Sequence, residues 1–390
     1  MADLYRLINQ FKHYDWGSPD LIPEFLGFEN NGEVSPKTLY AEMWMGTHKG
    51  APSLAEMVLP GKTVSLAELA GGELPFLFKL LAVESPLSIQ AHPDKLSAEK
   101  GFSRENEAGI ALNSPTRNYS DNNHKPEIIC ALTPFTLMVG FREPSEIREL
   151  LKGLQALPLR TNIFSALLNS LDTGLLKDFF SGLFNISPSE CKNLAGLFKE
   201  EYPREGSGAI LPEQWKLMKN FAARYPGDPA MLSPLYLNII TLQPGQAIFI
   251  PAGALHAHVS GFGIELMADS DNVLRGGLTP KHIDVFELIN ILDFAPFMPQ
   301  IITPPASSGW FRYPAPCDDF SLSILRSDGV EKIFSESGPA ICIVTQGELS
   351  FGSMVFKKGE SFFVPPPECR APVSFNGHYS LFIAGTGKTA

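Results

Sequence analysis

The chain has 390 residues, of which 44% are hydrophobic and 19% are charged, and its formal net charge is −11. This length exceeds the roughly 100–200 residues of one ordinary domain, so two or three structural units are expected. The acidic charge argues against general nucleic-acid binding, which needs a basic face, but a few local cations are enough to hold one small phosphorylated molecule.

The five cysteines are dispersed and none has CxxC spacing. This pattern indicates neither a disulfide framework nor a thiolate zinc site. The first residues, MADLYRLINQFKHYDWG, contain no apolar signal segment, and the sequence has no apolar run of about 18 residues that would predict a membrane span. We therefore expect a cytoplasmic protein that does not act at a membrane.

Residues 1–142 consist of short apolar runs interrupted by turns, a pattern that predicts β-strands. FLFKLLAV (76–83) is typical of a buried strand, and LSIQAH (87–92) alternates as a half-buried strand does. KPEIICALTPFTLMVGF (125–141) predicts two further strands on either side of a turn at Thr133-Pro134.

The pattern changes to helical spacing of apolar residues between Glu143 and about Tyr225. The last two of the predicted helical segments have proline in the first turn, a position that favours helix initiation. The predicted helical segments are PSEIRELLKGLQAL (144–157), NIFSALLNSLDTGLLKDFFSGLF (162–184), SPSECKNLAGLFKEEY (187–202) and LPEQWKLMKNFAARY (211–225).

Strands return from Leu232 onward. We predict a short helix in IDVFELINIL (283–292), a proline-rich linker at 296–309, and strands and turns over residues 310–390. The predicted strands before that helix are LYLNIITL (235–242), AIFIPAG (247–253), ALHAHVSG (254–261) and FGIELMA (262–268).

A weak internal repeat suggests how the β-rich parts are organised. Leu242–Gly261 and Phe356–Gly377 share the order turn glycine, strand, proline, turn, strand, and Arg370 of the second copy stands where the first copy has His256. The first copy resembles a cupin, a small double-sheet jelly roll. The alternative is chance similarity, since unrelated hairpins share turn residues.

We therefore expect a mainly β protein with an α insert, built from two cupin-type jelly-roll barrels and a helical domain. The predicted division is a metal-binding cupin domain formed by residues 1–142 and 233–295, a helical insert at 143–232, and a degenerate cupin domain at 296–390 that has lost its metal-binding side chain.

The candidate metal ligands lie on the predicted strands of the first barrel. Gln90 and His92 are two residues apart, so on a strand both side chains point to the same face. An inward-facing polar pair is costly to bury unless it has a partner, and a metal ion is one such partner. The alternative for His92 is a hydrogen-bonded histidine in the core.

Glu127 begins an apolar strand, and His256 follows a glycine turn. By spacing alone His258 is as suitable as His256, because both face the same way on a strand. Imidazole, carboxylate and amide ligands suit zinc with an open coordination position, or manganese or iron. Glu127 has a simpler alternative, as an exposed residue at the start of a strand.

A charged stretch, residues 263–284, follows these histidines. Acid–base catalysis needs carboxylates close to a cation that holds an anionic substrate or a developing oxyanion. The alternative is a polar loop with local salt bridges. The charged residues noted in this stretch are Glu265, Asp269, Asp271, Arg275 and Lys281.

Six motifs, in order along the chain, resemble the type I mannose-6-phosphate isomerases. They extend over about residues 14–282. The helical segment and the C-terminal part resemble the family mainly in their general character and not through such motifs. The motifs are YDWGS (14–18), YAEMWMGTHKGAPS (40–53), LSIQAHPDK (87–95), HKPE (124–127), FIPAGALHAH (249–258) and SDNVLRGGLTPKH (270–282).

The resemblance implies a zinc-dependent aldose–ketose isomerase of the cupin type that interconverts mannose 6-phosphate and fructose 6-phosphate through ring opening and a cis-enediol. It implies one zinc ion per chain, held by Gln90, His92, Glu127 and His256, and so favours His256 over His258. His258 itself departs from the family, many members of which have tyrosine there.

The resemblance also implies roles for the charged residues. Arg275 matches the catalytic arginine, and Lys125, Glu265 and Asp271 fall on pocket positions from which we expect acid–base catalysis. Ser88 matches a position linked to phosphate binding, and Lys95 and Lys281 are the other expected phosphate-binding residues.

Two other function classes are compatible with a cupin. An iron-dependent oxygenase would use a facial triad of ligands with open positions for oxygen, which a glutamine ligand suits less well. A non-catalytic sugar-phosphate-binding protein would bind without turnover. We expect a monomer whose partner is a small sugar phosphate, with no nucleic-acid or membrane partner.

Overall fold

The structure is a computed structural model, and it describes residues 4–28, 38–57, 61–155, 163–172, 175–202 and 209–387. Among them, no helix is both long and apolar enough to cross a membrane. The strands are β1 (Tyr5–Ile8), β2 (Gln10–Lys12), β3 (Glu42–Met45), β4 (Leu54–Glu56), β5 (Thr63–Ser65), β6 (Phe76–Val83), β7 (Ile89–Ala91), β8 (Glu127–Ala131), β9 (Phe135–Phe141), β10 (Leu237–Leu242), β11 (Ala247–Ile250), β12 (His256–Ala268), β13 (Leu274–Gly277), β14 (Gly309–Arg312), β15 (Phe320–Asp328), β16 (Lys332–Ile333), β17 (Ala340–Phe351), β18 (Met354–Lys357), β19 (Ser361–Val364), β20 (Ser374–Phe375) and β21 (His378–Thr386).

The helices begin within the first β-rich part of the chain and are concentrated between β9 and β10. Short 3₁₀ turns lie at Pro229–Leu232 and Pro367–Cys369. The α-helices are α1 (Leu21–Leu26), α2 (Leu66–Ala70), α3 (Lys95–Glu107), α4 (Pro144–Gln155), α5 (Ile163–Asp172), α6 (Leu176–Leu183), α7 (Pro188–Leu197), α8 (Pro212–Arg224), α9 (Ser233–Tyr236) and α10 (Val285–Ile291).

The first large sheet has the order β10-β9-β12-β6-β3-β2, and β8 and β7 also pair with β12. The long strand β12 is its centre, because it pairs antiparallel with β6, β7, β8 and β9 along different parts of its length. Strands β11 and β13 extend the sheet through β8 and β7. Gln90 of β7, Glu127 of β8, and His256 and Glu265 of β12 therefore lie on neighbouring strands of one sheet.

The second large sheet has the order β14-β15-β21-β17-β19-β1-β4-β5. It is formed mostly by the C-terminal part of the chain, but β1, β4 and β5 of the N-terminal part complete it. The mainly β fold with inserted helices is confirmed. The division of the chain into domains stays a prediction, and these pairings bring N-terminal strands into the sheet of the C-terminal part.

A large apolar core joins the inserted helices to the first sheet. Phe141 of β9 stacks with Phe294 and makes an edge contact with Phe180 of α6. Leu154 of α4 and Phe221 of α8 are fully buried in the same cluster. The inserted helices therefore pack directly against the sheet that carries the site.

Most of the predicted elements agree with the structure. Strands β6, β8 and β9 and helices α4, α7, α8 and α10 confirm the predictions at those places. Residues 156–157, 162 and 173–174 of the predicted helical segments lie outside the described residues, and the segment on either side of 173–174 forms two helices, α5 and α6.

Three details of the prediction were wrong. The strand predicted over LSIQAH is only three residues long, so His92 follows β7 rather than lying in it. The two strands predicted on either side of Gly261 are one continuous strand, β12. Helix α3 was not predicted, because its sequence KLSAEKGFSRENE has few apolar residues; Asp94 caps it by accepting from Ser97 N.

Candidate functional site

Four polar side chains converge where β7, β8 and β12 meet. Gln90 of β7 lies directly opposite His256 of β12 in the strand register. Glu127 is the first residue of β8, and His92 follows the end of β7. The ligand atoms of His92, Glu127 and His256 all lie within 4.8 Å of one another, so the fold brings together the four residues predicted to bind metal.

The two imidazole rings are held in one orientation by main-chain carbonyl groups. His92 Nδ1 lies 2.6 Å from the Asn272 carbonyl oxygen, and His256 Nδ1 lies 3.0 Å from that of Ala254. A carbonyl can only accept, so each Nδ1 carries the proton and each Nε2 presents a lone pair. Such outer hydrogen bonds are the usual way in which metal-binding histidines are oriented.

The Nε2 lone pairs point at the Glu127 carboxylate. His92 Nε2 lies 3.2 Å from Glu127 Oε1, and His256 Nε2 lies 3.4 Å from Oε2. His92 Nε2 and Glu127 Oε2 are fully buried yet make no hydrogen bond to any described residue. Buried polar atoms are rarely left in this way, so the arrangement fits a cation among these atoms.

The charge states also suit a metal ion. Burial lowers the pKa of His92 to about 4, so its ring is neutral at physiological pH. Burial by itself raises the pKa of Glu127, but the charge of His92 when its ring is protonated at low pH, together with that of Lys125, holds the pKa of Glu127 well below its ordinary value. A neutral imidazole and an ionised carboxylate are the protonation states that metal binding requires.

A cavity of about 320 Å³ opens above these groups. His92 and His256 are fully buried beneath it, with exposures of 1% and 0%. Its lining includes eight of the predicted site residues, namely Ser88, Gln90, Lys125, Glu127, Glu265, Asp271, Arg275 and Lys281.

Lys95 lies elsewhere. It is the first residue of α3, is half exposed, and donates to Asn123 Oδ1 over 3.0 Å. It is not among the described residues that line the cavity, and its role in phosphate binding stays a prediction.

Sequence reasoning missed a buried charge network on one wall of the cavity. Lys79 Nζ lies 2.8 Å from Glu265 Oε2 and 3.8 Å from Glu42 Oε1, and all three side chains are at least nine-tenths buried. Trp44 donates its indole N–H to Glu42. The signal was present in the sequence, because Lys79 is the one charged residue of the apolar run FLFKLLAV.

The network fixes the charge of Glu265. Burial by itself raises the pKa of Glu265, but Lys79, with smaller contributions from His258 and Lys125, brings the pKa below its ordinary value. Burial also acts to lower the pKa of Lys79, and Glu265 and Glu42 together raise it instead. Glu265 is therefore an ionised carboxylate on the cavity wall, with Oε2 bonded to Lys79.

A second ion pair lies at the cavity edge. His48 Nε2 lies 3.3 Å from Asp271 Oδ2 and 3.8 Å from Asp269 Oδ1. The hydrogen bond with Asp271 raises the pKa of His48 above 6.5, and the same bond lowers the pKa of Asp271.

His258, the alternative to His256, occupies a different environment. Its ring is 1% exposed, packs edge-on against Phe135, and makes no hydrogen bond with the described residues. Its Nδ1 lies 3.9 Å from Glu265 Oε1, and it can share a cation with Glu127 and Glu265 rather than with His92. The geometry therefore favours His256 as the partner of His92.

Comparison with known proteins identifies one family. The sequence pattern of the family described as phosphomannose isomerase type I, catalytic domain, matches residues 4–144. Mannose-6-phosphate isomerase of Escherichia coli strain K12 is 37% identical, covering 97% of this chain and 98% of that protein. Mannose-6-phosphate isomerase 2 of Arabidopsis thaliana is 33% identical, covering 93% and 89%.

A crystal structure of mannose 6-phosphate isomerase from Salmonella typhimurium, bound to fructose 6-phosphate as substrate and to zinc, superposes with a TM-score of 0.85. It is 34% identical in sequence, and the match covers 99% of this chain and 100% of that one. With its buried donor set, its cavity and its near full-length similarity to these proteins, the chain belongs to the type I phosphomannose isomerase family.

Proposed function

We propose that this chain is a zinc-dependent aldose–ketose isomerase that interconverts mannose 6-phosphate and fructose 6-phosphate. The observation that carries the proposal is the buried set of two Nε2 lone pairs and a carboxylate at the base of a cavity with acidic and basic walls. The similarity to zinc-bound and substrate-bound isomerases supports the same activity.

We assign the metal ion to Gln90, His92, Glu127 and His256. The Gln90 amide is next to the lone pair of His256, at 3.4 Å between the two Nε2 atoms, and turning the amide would present its oxygen instead. When bound, zinc supplies a Lewis acid that polarises the sugar oxygens and stabilises negative charge.

Isomerisation requires a base that removes the C2 proton and returns a proton to C1. Glu265 is suited to this task because Lys79 occupies only Oε2, which leaves Oε1 to accept and return a proton. Asp271 and Lys125 line the same cavity and are the other candidates for the proton transfers of ring opening.

Arg275 is suited to stabilise the enediolate. It lies opposite Gln90 in the register of β13 and β7, next to the metal ligands. Its guanidinium is permanently charged and partly buried, and a fixed cation in such a place interacts strongly with charge that develops in the transition state.

The phosphate group is expected at the mouth of the cavity. Ser88 and Lys281 line the cavity, and Lys281 is exposed. A hydroxyl and an ammonium group both donate hydrogen bonds to phosphate oxygens. Holding the phosphate there would direct the carbonyl end of an open-chain sugar toward the metal ligands below.

We also propose the domain division given above, with the catalytic part formed by residues 1–142 and 233–295, the helical insert by 143–232 and the degenerate cupin by 296–390. A monomer acting in the cytoplasm on a small sugar phosphate fits the acidic net charge of −11. Gel filtration with light scattering tests the monomer.

The activity is tested by coupling fructose 6-phosphate formation from mannose 6-phosphate to a reporter enzyme, with zinc-loaded and metal-free protein side by side. The proposal expects turnover that depends on the metal ion. Tight binding of mannose 6-phosphate without turnover by the zinc-loaded protein would instead favour a non-catalytic binding protein.

A further inference from the structure

The last residue of α8 reaches the active-site cavity from the helical insert. Arg224 lines the cavity together with Arg275 and Lys281, although those two residues belong to a distant part of the sequence. Arg224 is exposed and forms no ion pair with a carboxylate in the part of the chain that the structure describes. Its guanidinium is therefore available to an anion in the cavity.

The segment after α8 is fastened to the loop that carries Lys281. Asp228 Oδ2 accepts from Leu278 N over 2.7 Å, and Asp228 Oδ1 accepts from Ala230 N over 2.9 Å. One carboxylate thus binds the helical insert and the loop at once, and it fixes their relative position.

The loop has an unusual conformation at this point of contact. Leu278 has φ of 54°, and it is the one described residue other than glycine with positive φ. A side chain is unfavourable in this region, so the surrounding contacts must hold it there. At Gly277, where φ is 138°, an added Cβ would lie 2.1 Å from the Ala230 side chain, which shows how closely the two segments approach.

Five cations line this cavity in a protein of net charge −11, and two of them, Lys79 and Lys125, are paired with Glu265 and Glu127. The other three come from two separate parts of the chain. Arg224, Arg275 and Lys281 have no carboxylate within ion-pair distance among the described residues. Like charges repel one another, so a shared anionic ligand is the simplest reason for this arrangement.

We propose that Arg224 is a substrate-binding residue that holds the phosphate group at the mouth of the cavity, and that Asp228 is the positioning residue that places it there. The inference rests on the proposed function, and it makes the helical insert part of the substrate site. A guanidinium binds a phosphate dianion through two parallel hydrogen bonds, which adds orientation as well as attraction.

The test compares Arg224→Gln with Lys216→Gln in the zinc-loaded enzyme. Lys216 is an exposed cation on the same helix and does not line the cavity, so it controls for the lost charge. We expect Arg224→Gln to raise both KM for mannose 6-phosphate and the inhibition constant of inorganic phosphate about tenfold. This is the smallest loss of affinity expected when a hydrogen bond to a charged group is removed. We expect kcat to change less than twofold, and Lys216→Gln to behave as wild type.

Equal KM values for the two variants would overturn the assignment of Arg224. Calorimetric binding of fructose 6-phosphate gives a readout that does not depend on turnover. If the wild-type protein binds this compound without isomerising it, the proposed function fails. Weaker binding by Arg224→Gln than by wild type and Lys216→Gln would support the phosphate site even in that case.

The role of Asp228 is tested by a double-mutant cycle with Asp228→Asn. If Asp228 acts by placing Arg224, the Arg224→Gln change should raise KM much less in the Asp228→Asn background than in wild type. A purely structural role predicts independent effects, in which the two increases in KM multiply, and that result would overturn the positioning role.

Discussion

Gln90 and His256 face each other across β7 and β12, with 3.4 Å between their Nε2 atoms. Because His256 donates its Nδ1 proton to the Ala254 carbonyl, its Nε2 can only accept, and the Gln90 amide N–H is the group beside it. The amide N–H of Gln90 thus lies beside the lone pair that a metal ion would use. Rotation of the amide would replace its N–H by its oxygen, which could then bind the metal together with His256 Nε2.

The first prediction concerns this lone pair. His256→Ala removes one of the two buried imidazoles, and we expect zinc affinity to fall by more than the 10–100-fold that is typical when only an outer hydrogen-bond partner is lost. His282→Ala, which removes an exposed histidine, is the control and should leave the zinc content unchanged. A competition titration with a zinc chelator measures both, and equal affinities would contradict the assigned ligand set.

The second prediction concerns the outer partner of His92. Its Nδ1 donates to the Asn272 carbonyl oxygen, and the Asn272 side chain donates to the carbonyl oxygens of Asp121 and Asn123 over 2.9 and 2.8 Å. Asn272→Ala should loosen that carbonyl and weaken zinc binding by about 10–100-fold without removing any ligand. Unchanged zinc affinity in this variant would show that the side chain does not orient His92.

The four candidate metal ligands were predicted from the sequence, mainly through the ordered motifs. Gln90, Glu127 and His256 lie on three strands that are far apart in the chain, and His92 follows the first of these strands. Alternation alone could not choose between His256 and His258. The ordered motifs indicated the choice, and the structure supports it by placing His256, not His258, beside His92. His92 itself lies beyond the end of β7, so the argument that paired it with Gln90 by alternation assumed a longer strand than the structure has.

Lys79 and Arg224 were missed for two different physical reasons. Lys79 is an isolated charge in a buried strand, which the sequence does reveal, but its partners Glu42 and Glu265 come from strands far apart in the chain. Arg224 gave no signal, because an arginine at the end of an amphipathic helix is ordinary. Arg224 reaches the cavity only in the folded chain, where the segment after α8 is bonded to the loop at Leu278 through Asp228.

The third prediction concerns the buried charge network. Lys79→Met leaves Glu265 and Glu42 buried without their cation, and such a loss typically costs about 3–5 kcal/mol of unfolding free energy. Lys49→Met removes a lysine whose side chain is 85% exposed, so it should change stability by less than about 1 kcal/mol. Denaturant titrations measure both, and similar values would contradict the importance of the network.

The fourth prediction concerns pH. Because the hydrogen bond with Asp271 raises the pKa of His48 above 6.5, the stabilisation from this pair is complete below pH 6.5 and is lost as pH rises through the raised value. At the acid end, the lowered pKa of Asp271 means that the stabilisation is present above pH 3.8 and is lost as pH falls through the lowered value.

NMR titration of the His48 ring measures this coupling. In Asp271→Asn the pKa of His48 should fall toward 6.5, since the strongest favourable partner of the charged ring is gone. The same titration in Asp20→Asn, which removes a carboxylate at the N-terminus of α1, should match wild type. An unchanged His48 pKa in Asp271→Asn would show that the two side chains do not interact in solution.

The fifth prediction concerns Arg275. Arg275→Gln keeps a hydrogen-bond donor but removes the charge, and we expect kcat to fall by about 10²–10³, the usual effect of losing one preorganised donor to a developing oxyanion. Arg326→Gln, which alters an arginine that donates to the Pro305 carbonyl in the second sheet, is the control. A change in KM alone would assign Arg275 to substrate binding instead of to the transition state.

The central claim is that this buried donor set holds a zinc ion on which isomerisation of a sugar phosphate depends. Its most direct test is to measure metal content and conversion of mannose 6-phosphate on the same samples, before chelation, after chelation and after zinc is restored. The account predicts that activity is lost with the metal and returns in proportion to the zinc bound, up to one ion per chain. Full activity in protein shown to contain no metal would contradict it.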